Sequence, residues 1–137
     1  MIVIVCLDDK KGMMYNHRRL SRDKAVTERI QNVCKGRKLW MNSYSNNLYG
    51  SLDGIDVIAE DEFLSLAGSG EYCLVESESM DSYREKIERI IIFWWNRIYP
   101  ADVVFDLDLS LWERKERHEF QGFSHEKITE EIYERRT

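Results

Sequence analysis

The sequence predicts an α/β fold built on a mostly parallel sheet, with a β-rich carboxyl-terminal third. Three observations predict it. Residues 2–7 (Ile-Val-Ile-Val-Cys-Leu) form an unbroken, largely β-branched apolar run, as in a strand buried on both faces. From there to residue 88, short apolar segments alternate with segments carrying helix start and stop signals, the pattern of strands joined by crossover helices. Beyond residue 88, the structured segments read mainly as extended ones.

The first strand enters a charged turn over residues 8–13 that contains Gly12, followed by a polar, arginine-rich loop over 14–22. Ser21 is a suitable N-cap for a helix over 22–34, with Asp23 in the first turn facing the positive helix end. Ala25, Ile30 and Val33 supply its apolar face, and Gly36 ends it. Residues 38–41 form a short strand. Asn42-Ser43-Tyr44-Ser45 then caps a helix running to about Tyr49. After the Asp53-Gly54 turn come a strand over 55–59 and a short helix over 60–67, stopped by Gly68-Ser69-Gly70. A strand over 71–75 and a short helix over 80–86 precede the long aromatic strand 89–97. Residues 103–105 are extended, and 112–120 is another strand. Residues 128–133 read as a final strand, although Glu130-Glu131 leaves a helix open there.

The totals bound the function. A chain of 137 residues suits a single domain over 1–137 with a real core. A net charge of −5 argues against a nucleic-acid partner. The apolar runs at 1–7 and 87–98 are too short for a signal peptide or a membrane span. The 3 cysteines form no CxxC pair, which suggests reduced thiols and a cytoplasmic protein. Cys6 and Cys73 lie in apolar strands and read as small core residues.

The order of the pieces resembles dihydrofolate reductase over nearly the whole chain. The matches are the first strand with its glycine-containing loop, Leu20-Ser21-Arg22-Asp23 for a Leu-Pro-x-Asp segment, and Leu39-Trp40-Met41-Asn42-Ser43-Tyr44-Ser45 for a strand ending in Met-Gly-Arg-x-Thr. Further along stand Ala101 to Asp106 for Gly-Asp-x-x-Phe-Pro, then Trp112, then the closing Ile132-Tyr133-Glu134-Arg135-Arg136. The resemblance implies a mostly parallel central sheet with antiparallel carboxyl-terminal strands and a pocket at the carboxyl ends of the central strands. In the family, the helix after the second motif holds cofactor phosphates, and a Gly-Gly pair receives the pyrophosphate. Asp23 matches the family's carboxylate and would be the general acid of an NADPH-dependent reductase.

Departures fall on the chemistry. Glu76-Ser77 stands where the Gly-Gly pair would admit pyrophosphate. A carboxylate there repels phosphate by about 1 kcal/mol or more near a surface. The family's active-site threonine falls near Phe93-Trp94, which offer no hydroxyl. Arg18-Arg19 replaces the tryptophan that lies beside nicotinamide.

The candidate ligand-binding residues follow from chemistry as well as position. Asn16, His17, Arg18, Arg19 and Arg22 form a basic loop whose guanidinium groups suit phosphate or carboxylate, or else form a solvated surface. Asn42, Ser43, Tyr44 and Ser45 bring a helix N-terminus and hydroxyls to an anion, or else only cap the helix. Among Trp40, Tyr44, Tyr49, Trp94 and Trp95, the adjacent Trp94 and Trp95 point to opposite faces, so one is core and one faces a pocket or partner; Trp94 is the ligand candidate. Asp8-Asp9 suits a turn. His17, His118 and His125 lack metal-ligand spacing, so no metal is expected. The residues point to no firm cofactor, and NADPH belongs only to the reductase alternative.

Three functions remain in view. The first is non-catalytic binding or sequestration of a nucleotide-derived small molecule in a reductase-like cleft; one version sequesters a nucleotide second messenger, as small viral counter-defence proteins do. The second is an NADPH-dependent oxidoreductase using Asp23. The third is a protein-interaction module, or homodimer, that uses the aromatic segment 92–98 as an edge or dimer face.

Overall fold

The computed structural model describes residues 1–136. Its seven-stranded sheet has the order β5-β4-β6-β1-β7-β10-β9. These are β1 (Ile2–Leu7), β4 (Lys38–Met41), β5 (Asp56–Ala59), β6 (Tyr72–Val75), β7 (Arg89–Trp94), β9 (Trp112–Phe120) and β10 (Ile128–Arg135). The first five in chain order pair in parallel; β10 is antiparallel to both β7 and β9. Crossovers carry helices α1 (Lys24–Cys34), α2 (Ser43–Tyr49) and α3 (Phe63–Leu66), and a 3-10 turn spans Asp81–Lys86. The final segment is a strand. Its Ile132 pairs with Ile91 and its Glu131 with Ile92, so cross-strand packing decides against the helix that the adjacent glutamates left open.

Alternation along the central strands builds two cores. Val3, Val5, Ile90 and Ile92 face one side with Phe63, Met80 and Phe105. Ile4, Ile91 and Phe93 face the other, against Val26, Ile30 and Cys34 of α1. Each such side chain, fully buried, contributes about 1.5–3 kcal/mol. The thiols belong to this packing: burial pushes Cys34 and Cys73 up to about 12 and raises Cys6 further, so none is a ready nucleophile.

The structure corrects several local readings. Asp23, not Ser21, is the N-cap of α1; its backbone is extended (φ −152°), and Oδ1 accepts from the Ala25 amide at 2.9 Å. The long aromatic strand stops at Trp94 because Asn96 adopts a left-handed φ of 59°. With β1 on one side and β10 on the other, β7 offers no free strand edge, which removes the basis for segment 92–98 as an edge. The edges are β5 and β9.

The loop over 14–22 also holds unanticipated structure. Strands β2 (Gly12–Tyr15) and β3 (Arg18–Arg19) form a hairpin that pairs with β8 (Val103–Val104). Its two-residue tip, Asn16-His17, takes positive φ at both positions (49° and 63°), as a type I′ turn requires. The sequence lacks the glycine that usually announces that turn. No helix is long and apolar enough to cross a membrane among the described residues.

Candidate functional site

The carboxyl ends of β1 and β6 face the start of α1, the hairpin and α2, so side chains from distant segments converge there. At the centre lies Asp23, 4% exposed. Its Oδ1 accepts from the Ala25 and Phe123 amides, each at 2.9 Å. Its Oδ2 accepts from the Ser124 amide at 2.8 Å, the Ser124 hydroxyl at 3.0 Å and His125 Nδ1 at 2.9 Å. A carboxylate has about four lone-pair sites, so these donors saturate it. Burial opposes its charge, yet His125 and the amides of Phe123, Ser124 and Ala25 outweigh burial and hold the carboxyl well below its ordinary 3.8.

The loop that closes over Asp23 depends on Gly122. A Cβ there would lie 2.5 Å from Asp23 Oδ2 and 2.8 Å from the Ile128 side chain, too close for any other residue without rearrangement. The Gly122 amide donates to the His125 carbonyl at 2.9 Å, which tightens the turn. The His125 ring stacks on Trp95, with centroids 4.6 Å apart and planes at 22°. Because Nδ1 faces a carboxylate, it carries the proton, and in the neutral ring Nε2 is an acceptor. Nε2 lies 3.0 Å from Ser21 Oγ and 3.2 Å from the Tyr99 hydroxyl.

Beside this centre, Arg19 donates from Nε and Nη2 to the two Glu76 oxygens at 2.8 and 2.9 Å, a bidentate pair. The Ser45 hydroxyl also donates to Glu76, at 2.8 Å. Tyr44 and Tyr49 lie beneath the Arg19 guanidinium at 4.6 and 5.8 Å, and Tyr44 Oη accepts from the Arg19 amide at 3.1 Å. The hydrogen bond to Glu76 is the main reason Arg19 holds its proton even more tightly than usual. Burial raises the Tyr49 phenol well above 10.0. Packed together, Arg19, Ser21, Tyr49, Glu76 and Trp95 leave a cavity of only about 10 Å³ at the strand ends, room for about one water.

The other predicted residues divide around this knot. Arg19, Tyr44 and Ser45 join it directly. Asn42 caps α2 by accepting from the Ser45 amide at 2.8 Å and donates to Glu78 at 2.6 Å. The Ser43 amide and hydroxyl both donate to Asp61, at 2.9 and 3.0 Å, so its free helix-end donor faces a carboxylate of the same chain. Asn16, Arg18 and Arg19 line an open hollow of about 260 Å³ with Tyr15, Tyr99 and Pro100. Arg18 is exposed and forms no ion pair within 4.0 Å among the described residues. His17 is the exposed hairpin tip. Arg22 lines a separate hollow of about 370 Å³ with Asp23, Lys24, Thr27, Leu48 and Ser124.

Trp94 is not brought to the others. It packs with the opposite core face, and its indole N–H donates to Glu131 at 2.6 Å. Trp95, 2% exposed, is the tryptophan at the site. Alternation required opposite faces but did not say which face would meet α1. Sequence reasoning also passed over His125, Ser124, Ser21 and Tyr99 as a group. They sit up to 104 positions apart, and no local spacing links them. Asp8 serves its turn, accepting from the Gly12 amide at 2.6 Å and from Lys10 and Tyr99. Among the described residues, no cluster of His, Cys, Asp and Glu is grouped to hold a metal ion.

No protein-family profile and no curated protein matches the chain. In three dimensions, the chain is similar to dihydrofolate reductase from Enterococcus faecalis, solved in complex with NADP(H) and RAB-propyl. The TM-score is 0.70 at 12% identity, covering 99% of this chain and 96% of that one. The chain therefore has a dihydrofolate reductase-like fold, with its strands in the mixed parallel and antiparallel arrangement described above.

Proposed function

We propose that the protein binds and sequesters an anionic, nucleotide-derived small molecule and performs no hydride transfer. The observation that carries this reading is the pairing of a saturated centre with an unsaturated rim. Asp23, the position matched to the reductase carboxylate, accepts from five donors and stays ionised at neutral pH, so it has no proton to give. Glu76, where the resemblance places the pyrophosphate-binding glycines, holds Arg19 and Ser45 and presents negative charge. An NADPH pyrophosphate in that position would have to displace both partners and meet the carboxylate.

Arg18, in contrast, stands at the hollow with its donors facing solvent. Tyr15 and Tyr99 flank it with aromatic surface, and Asn16 adds an amide. At about 260 Å³, the hollow lies near the lower bound of ligand sites, about 300 Å³. A guanidinium and aromatic surface lining one hollow suit a planar base attached to a phosphate. The separate hollow at Arg22 adds two cations, Arg22 and Lys24, beside the Asp23 carboxylate.

Thermal unfolding with a panel of cyclic nucleotides, nucleoside phosphates and ADP-ribose tests this reading. A native-state ligand at 100 times its Kd stabilises by about 2.7 kcal/mol, a shift of several degrees for a domain of this size. Arg18→Ala should abolish the shift without lowering the unliganded midpoint, since Arg18 pairs with no carboxylate among the described residues. No shift with any member of the panel would overturn the proposal.

A further inference from the structure

We infer that Ser21, His125 and Asp23 form a nucleophile–base–carboxylate relay that hydrolyses a small, anionic carboxylic ester. Nothing in the dihydrofolate reductase resemblance calls for this arrangement, since the histidine comes from the loop before β10 and the serine precedes the helix cap. The geometry is that of an activated hydroxyl. Ser21 Oγ lies 3.0 Å from His125 Nε2, and His125 Nδ1 lies 2.9 Å from Asp23 Oδ2. The carboxylate fixes the tautomer that leaves Nε2 unprotonated, and the amides around Asp23 keep it charged. Stacking on Trp95 and a 5% exposed environment hold the ring in one orientation. The three groups are therefore positioned before any ligand arrives.

Ser21 itself is only half-buried, whereas His125 and Asp23 behind it are buried. Its neighbour Leu20 and the histidine's second contact, Tyr99, both line the 260 Å³ hollow that holds Arg18. Ser21 itself borders the small cavity at the strand ends rather than this hollow, so an ester whose acidic group meets Arg18 reaches the serine only by displacing Leu20 or Tyr99 from between them; that cation selects an anionic substrate. The Tyr99 hydroxyl lies 3.2 Å from the same Nε2, whose one lone pair it contests with Ser21; it is released to donate to the developing oxyanion only once Nε2 has taken the serine's proton.

In the first step, Ser21 Oγ bonds to the ester carbonyl carbon and its proton passes to Nε2. The carbon–oxygen bond to the alcohol then breaks, and Nε2 returns that proton to the leaving alkoxide. A water next attacks the acyl-serine, giving one proton to Nε2. The acyl–oxygen bond to Ser21 breaks as Ser21 takes the proton back, which releases the acid. No oxidant, reductant or metal enters the balance.

The test uses the intact chain with diisopropyl fluorophosphate and with p-nitrophenyl succinate, an anionic ester. The inference expects one covalent adduct, mapped by peptide mass spectrometry to Ser21, and ester hydrolysis above background. Ser21→Ala should remove both, with a rate loss of at least about 100-fold. His125→Gln should do the same; if it fails to fold, urea-unfolded wild type, in which the relay is dismantled, serves as the unactivated control and should not label. Absence of an adduct at Ser21, equal labelling of the unfolded chain, or an unchanged rate in Ser21→Ala would each overturn the inference. Nucleotide binding without labelling retires this inference alone, whereas labelling without nucleotide binding retires the preceding proposal alone.

Discussion

Asp23 shows how one side chain can anchor a structure while losing the freedom that acid chemistry requires. It caps α1, ties the 122–125 loop to that cap and orients His125. Asp23→Asn keeps the size but replaces one acceptor with a donor facing other donors. Breaking a buried, charge-assisted network of this kind costs about 3–5 kcal/mol, which urea denaturation at neutral pH should register. The pH dependence has a definite sign. A folded-state pKa depressed below 3.8 means that the unfolded chain binds more protons in acid. This stability is complete above the ordinary carboxylate value and is lost as pH falls through it toward the folded value. The wild-type urea midpoint should therefore fall between about pH 5 and pH 3, and Asp23→Asn should show a shallower fall. A wild type and variant with equal acid slopes would contradict the assigned network.

At the scale of elements, the β2–β3 hairpin carries the basic residues Arg18 and Arg19 to two different tasks. Arg19 turns inward to Glu76, while Arg18 faces the hollow. The turn between the strands holds His17 at φ 63°, a conformation that costs a side-chain-bearing residue about 1–2 kcal/mol. His17→Gly should relieve that strain and raise stability by about 0.5–1 kcal/mol after the added unfolded-state entropy, read as a higher thermal midpoint; a lower midpoint would contradict the turn geometry. The same hairpin shows where local reading stops. Strands β1 and β6 were legible because continuous apolar runs announce burial on both faces. The hairpin was not, because a turn of asparagine and histidine without glycine looks like any polar loop. The start of α1 was misread by two residues for a related reason: Ser21 and Asp23 are both good caps, and the choice rests on the distant amides of Phe123 and Ser124. β9 lines the sheet edge with exposed charges of both signs, a device that discourages further strand pairing.

At the scale of the whole molecule, the parallel strands end together, and their ends form the natural ligand crevice of an α/β sheet. In this chain that crevice is filled from within. Arg19, Tyr49 and Glu76 occupy it down to about 10 Å³, and the hollows open to solvent lie to its sides. The sequence made the residues of the knot visible one at a time: the basic loop, the serine-flanked helix, and a glutamate where glycines would stand. Their mutual neutralisation was invisible, because it depends on Arg19 meeting Glu76 across 57 positions. Likewise, Asp23 looked like a candidate acid until the loop 102 positions away closed on it.

The most direct measurement is a titration with NADPH, followed by nicotinamide fluorescence and calorimetry on the wild-type chain. A crevice closed by Arg19 and Glu76 predicts no saturable binding up to millimolar cofactor and no NADPH oxidation with dihydrofolate. Micromolar, saturable NADPH binding accompanied by turnover would contradict it.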